Sequence, residues 1–63
     1  MVGGRQTYRC FFKTAEGRFA GVYEISAVTE AEARDKCLVL LRAGSHPTVE
    51  LWLLDRFVAS LTQ

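Results

Sequence analysis

The chain has few of the residues that most often carry chemistry or cross-link a small domain. Its 63 residues include two cysteines, one histidine and one proline. Two cysteines cannot form the disulfide framework of a small secreted protein. Cys10 and Cys37 occupy apolar positions of periodic segments, so we expect buried free thiols in a reducing compartment. A zinc site would need both thiols and His46 and would still lack a fourth ligand, so no metal or cofactor is expected.

Strong charge and long apolar runs are also absent. The net charge is +1, which argues against general affinity for nucleic acid or for anionic membranes, because both need a basic surface. No apolar run approaches the length of a membrane span, and no signal-peptide pattern begins the chain. We therefore expect a cytoplasmic protein without membrane contact, with a loose N-terminus over residues 1–6 and one domain over residues 7–63.

Catalytic motifs are missing as well, since the chain has no phosphate-binding glycine loop and no nucleophile elbow. His46 has no partner base or ligand at a recognisable spacing. Glu50 is the one carboxylate expected to be partly buried, and a cross-strand ion pair with Arg9 or Arg56 explains it better than catalysis. We therefore expect a protein that is not an enzyme.

One segment has a start, a period and an end that agree, and it predicts an amphipathic helix over about residues 29–44. Thr29 is a good N-cap, and Glu32 three residues later completes a capping box. Gly44 is expected to adopt the left-handed conformation that often ends a helix. The i, i+4, i+7, i+8 spacing predicts a buried helix face. This face comprises Ala33, Cys37, Leu40, Leu41 and Gly44.

The segments on either side of the helix alternate in the way that is typical of strands. The predicted strands are residues 7–13, 18–26, 49–53 and 57–61. Gly17 is expected to supply a positive φ in the first turn, and Gly21 indicates a bulge or a close approach. The result is an α+β fold of order ββαββ, a small antiparallel sheet with one helix on one face. A single bent strand over residues 49–61 is the alternative.

The strands carry more apolar side chains than one helix can cover. If Tyr8, Cys10 and Phe12 face the helix, Phe11 does not. In the same way, the consecutive residues Leu51 and Trp52 point to opposite faces of the sheet. Uncovered apolar area of this kind marks an interaction surface. The predicted interface or binding residues are Phe11, Trp52, Arg9, Lys13, Glu50, Leu38 and Val39.

We expect this surface to form a homodimer, so that the protein is an interaction module. The alternative is a single-stranded nucleic-acid binder or antitoxin-like regulator, because aromatic and basic side chains mix on one sheet face. Another protein partner, or a small apolar ligand held between subunits, remains as a further alternative.

The order of these features resembles a group of short, uncharacterised bacterial proteins. Members have an aromatic N-terminal strand, an acidic residue and glycine in the first turn, an Ala- and acid-rich helix start, and a closing V-E-L-W segment. The turn before the closing arginine usually carries glycine in this group, whereas here it is Leu54-Asp55. The resemblance implies no activity. The matching pieces are residues 8–12, 16–17, 29–33 and 49–52, with Arg56, Val58, Ala59 and Leu61.

Overall fold

The structure is a computed structural model that describes residues 4–44 and 46–63. The predicted loose N-terminus falls partly on residues 1–3, which lie outside the described residues, as does Ser45 in the connection after the helix. Gln6 was also assigned to that terminus by the sequence, but it is the first residue of the first strand.

Four strands and one helix follow one another in the predicted order. The elements are β1 (Gln6–Lys13), β2 (Phe19–Ala27), α1 (Glu30–Ala43), β3 (Thr48–Leu53) and β4 (Arg56–Thr62). The strands form one antiparallel sheet in the order β2-β1-β3-β4. This confirms the α+β fold of order ββαββ. Within the part of the chain that the structure describes, no helix is long and apolar enough to cross a membrane.

The helix begins as the sequence predicted and ends differently. Thr29 Oγ1 accepts a hydrogen bond of 3.1 Å from the Glu32 N–H, and the Glu32 carboxylate accepts one of 3.0 Å from the Val28 N–H. The return bond therefore goes to Val28, one residue before the cap. Gly44 has φ −95°, so the left-handed prediction was wrong. Glycine is favoured there because a Cβ would lie 3.3 Å from the Leu40 carbonyl oxygen.

The core lies between α1 and one face of the sheet. The buried side chains are Tyr8, Cys10, Ala27, Ala33, Cys37, Leu41, Val49 and Leu51. The helix therefore covers the side of β1 that carries Tyr8 and Cys10, and the neighbouring Phe11 points to the other side. Of the predicted buried helix face, Leu40 is only partly buried and Gly44 is exposed.

Both hairpins are present, so the bent-strand alternative for residues 49–61 was wrong. Gly17 has φ +85° in the first turn, as predicted. The second turn is the two-residue loop Leu54-Asp55, since Leu53 pairs with Arg56. Leu54 has φ +57°, a conformation that residues other than glycine, asparagine and aspartate rarely adopt. In two-residue hairpin loops, a central position with positive φ normally carries glycine, asparagine or aspartate.

Two bulges change which face the outer strands present. In β2, Phe19 pairs with Lys13 and Gly21 with Phe12, so Ala20 is an extra residue. In β4, Phe57 pairs with Trp52 and Ala59 with Leu51, so Val58 is the extra residue. An extra residue reverses the alternation of side chains along a strand. As a result, Phe19 and Phe57 lie on the side of the sheet that the helix does not cover.

Candidate interaction face

The side of the sheet away from α1, named here the open face, carries one aromatic ring from each strand. In sheet order these are Phe19, Phe11, Trp52 and Phe57, which we name the aromatic row. Neighbouring ring centroids are 5.4, 6.4 and 5.6 Å apart, and each pair packs edge to face. Such pairs contribute about 0.5–1.5 kcal/mol each beyond the area they bury. The row therefore forms a continuous apolar band across the whole sheet.

The aromatic row shields its own centre and exposes its ends. Phe11 and Trp52 on the central strands are partly buried by their neighbours, whereas Phe19 and Phe57 on the edge strands are exposed. Val22, which pairs with Phe11, adds further exposed apolar area on the same face. Solvent thus meets most of the apolar surface at the two edges of the open face.

Two ion pairs lie beside the aromatic row. Lys13 Nζ is 3.2 Å from Glu50 Oε2, and Arg9 Nε is 3.2 Å from Glu24 Oε2. Trp52 Nε1 donates a hydrogen bond of 3.1 Å to the other oxygen of Glu50. Glu50 therefore holds both a cation and the indole in place. Both cations of the predicted set are matched by a carboxylate, so the face has little net charge.

The ion-pair partner predicted for Glu50 was wrong. Glu50 lies opposite Phe11 in the sheet, which makes Arg9 and Lys13 its two diagonal neighbours. Arg9 instead pairs with Glu24, which lies directly opposite on β2. Lys13 has no carboxylate opposite it on either side, since its strand partners are Phe19 and Thr48. Because Arg9 is paired with Glu24, Lys13 is the diagonal neighbour that forms the ion pair with Glu50.

An apolar groove of about 280 Å³ opens on this face. Its walls are Phe11, Phe19 and Trp52, and the turn residues Leu54 and Asp55 complete it. Lys13 Nζ lies 5.5 Å from the centre of the Phe19 ring. The groove thus has a cation beside its Phe19 and a carboxylate residue in its turn segment.

Five of the seven predicted interface residues share the open face, and two do not. Leu38 and Val39 lie on α1, on the other side of the sheet, where Leu38 packs against the core and Val39 is exposed. The seven residues therefore do not form a single surface, because α1 and the open face lie on opposite sides of the sheet. Sequence reasoning missed Phe19 and Phe57, since strict alternation assigns Phe19 to the face of Tyr23. Gly21, next to the Ala20 bulge, was the one signal of the change.

The remaining reactive groups lie away from the open face. Cys10 and Cys37 are free thiols with no exposed area between β1 and α1. A hydrogen bond to Cys37 and burial raise the pKa of the Cys10 thiol. The His46 ring lies 5.5 Å from Phe12, whose side chain packs against the core on the helix side. Across residues 4–44 and 46–63, no three potential metal ligands come together.

Comparison with known proteins does not assign a function to the open face. No family model, no curated protein and no solved structure matches the chain. A functional proposal therefore rests on the chain's own residues, and chiefly on the aromatic row.

Proposed function

We propose that the protein is a non-enzymatic interaction module that forms a homodimer through its open face. The observation that carries this proposal is the aromatic row, with exposed rings on both edge strands. A sheet face without a covering layer is normally polar. Pairing two such faces removes the exposed apolar area of both copies from water.

The charges on the open face support a second copy as the partner. Arg9 with Glu24 and Lys13 with Glu50 are already paired, so these four side chains add no net charge when the face meets an identical face. A chain this small also gains stability from association, because its own core is thin. Separation of His46 and Glu50 on opposite sides of the sheet supports a role without catalysis. The two buried free thiols support a cytoplasmic location.

The size of the face sets the expected affinity. Four strands about 4.8 Å apart and roughly 20 Å long give a face of about 400 Å². Two copies would bury roughly 800 Å², which is below the usual range for tight complexes. We therefore expect a reversible dimer with a dissociation constant in the micromolar range or weaker.

Sedimentation velocity tests the proposal with a matched pair of variants. Phe19 and Tyr23 both lie on edge strand β2 and are 61% and 52% exposed, but they point to opposite faces. Phe19→Ser should remain monomeric at concentrations where the wild type dimerises, from about 10 µM to about 1 mM. Tyr23→Ser should dimerise as the wild type does. A wild type that stays at the 7.1 kDa monomer mass throughout would overturn the proposal.

Single-stranded nucleic-acid binding is the second candidate, and the aromatic row favours it. Rings on adjacent strands can stack bases, with cations beside them for phosphates. Against it, Arg9 and Lys13 are each paired with a carboxylate at 3.2 Å, so the face has too little net positive charge to attract a polyanion strongly. Trp52 fluorescence titrated with mixed-sequence oligonucleotides at moderate salt tests this candidate. Strong quenching would favour it, and unchanged emission would reject it.

A further inference from the structure

The turn between β3 and β4 carries a residue that is poorly suited to an isolated chain. Leu54 has φ +57° and is 78% exposed, so it combines a left-handed backbone with an apolar side chain in water. Glycine would relieve both features. Among the described residues, Leu54 is the only one other than glycine with a positive φ. The side chain therefore offers apolar area at the rim of the groove rather than stability to the turn.

The groove has a positively charged side chain beside one of its lining residues and a negatively charged residue in its lining. Lys13 Nζ lies over the Phe19 ring, and Asp55 lies in the turn beside Leu54. Within residues 4–44 and 46–63, Asp55 has no ion pair within 4 Å. A two-fold axis in the plane of the interface can bring the Leu54-Asp55 turn of one copy over Phe19 and Lys13 of the other. Apolar area then meets apolar area, and Asp55 meets Lys13, whose ammonium has three N–H donors and can therefore contact Asp55 in addition to its own Glu50, twice per dimer.

We propose that the occupant of the groove is the Leu54-Asp55 turn of a second copy. Leu54 packs against the exposed Phe19 ring of the second copy, and Asp55 pairs with Lys13 of that copy. This inference rests on the proposed homodimer and names the contact that sets its register. It also gives the unusual turn a role, because the Leu54 side chain stabilises the dimer although it does not stabilise the monomer.

Leu54→Gly and Leu54→Asn separate assembly from folding. Both new residues tolerate the left-handed conformation, so the urea midpoint, measured at a low concentration where every variant is monomeric, should stay the same or rise. The dissociation constant measured by sedimentation should rise about 10-fold, because each dimer loses two apolar contacts. Asp55→Lys should weaken the dimer as well, and less so at high salt. Val39→Ser, an exposed apolar residue on α1, is the control and should leave the dimer unchanged.

The outcomes distinguish this inference from the proposed function. If the wild type dimerises, Phe19→Ser is monomeric and both Leu54 variants dimerise as tightly as the wild type, the open face is the interface but the turn is not its occupant. If the wild type is monomeric throughout, both proposals are overturned. Weaker assembly of the Leu54 variants with an unchanged or raised urea midpoint supports the inference. Weaker assembly with a lowered midpoint overturns the assigned role of the turn.

Discussion

The two ion pairs of the open face should differ in strength although they have the same length. Lys13–Glu50 and Arg9–Glu24 both join nitrogen and oxygen at 3.2 Å. The side chains of the first pair are 25% and 17% exposed, and those of the second are 54% and 59% exposed. Because water screens charges, burial should decide the coupling energy, and the Lys13–Glu50 pair should contribute more.

The expected magnitude follows from the geometry. Two unit charges 3.2 Å apart attract by about 1.3 kcal/mol in bulk water and by about 5 kcal/mol at an effective dielectric constant of about 20. Desolvation and lost side-chain entropy offset most of the larger value. We expect a coupling of about 1–2 kcal/mol for Lys13–Glu50. Exposed pairs typically contribute about 0.2–1 kcal/mol, and Arg9–Glu24 should lie at the lower end.

A double-mutant cycle measures each coupling. Lys13→Met, Glu50→Gln and the double variant form the first cycle, and Arg9→Met, Glu24→Gln and their double variant form the matched control. Glutamine at position 50 keeps an oxygen that can accept the hydrogen bond from Trp52. Urea unfolding is followed by far-ultraviolet circular dichroism at one low protein concentration, so that association does not contribute.

Comparing the two cycles tests whether burial determines the coupling energy of an ion pair. A Lys13–Glu50 coupling that is no larger than the Arg9–Glu24 coupling would refute the reasoning from burial. The salt dependence gives an independent check, because raising the ionic strength from about 0.1 M to about 1 M should reduce the coupling of the exposed pair by the larger fraction.

Two further predictions concern the helix side of the molecule. Hydrogen bonds from the Val28 N–H and from Lys36 lower the pKa of Glu32 below its usual 4.5; Glu32 therefore contributes stability above that pH and loses it as the pH falls through its lower folded-state value. In a pH series of urea midpoints, Glu32→Gln should lose less stability than the wild type on acidification, and parallel curves would contradict this. Cys10 and Cys37 have no exposed area, so a thiol-specific disulfide reagent should label neither in the native protein and both in denaturant. Rapid labelling of either thiol in the native protein would show that the core opens readily.

Local signals in the sequence determined the elements and their order. Alternation placed Tyr8 and Cys10 on one face of β1 and Phe11 on the other, and these faces hold in the structure. Thr29 and Gly17 marked the helix start and the first turn, because a cap and a positive φ depend on a few adjacent residues. The same alternation showed that large apolar groups must lie away from the helix.

Only the tertiary structure determined which aromatic side chains the two edge strands add to the open face. The extra residues Ala20 and Val58 move Phe19 and Phe57 onto that face, and such bulges depend on pairing with strands that are distant in the sequence. The same long-range register leaves Lys13, and not Arg9, as the partner of Glu50. Local pattern therefore determines which side chains a strand presents, whereas strand pairing determines which of them meet across the sheet, because cross-strand neighbours are set by contacts between segments far apart in the chain.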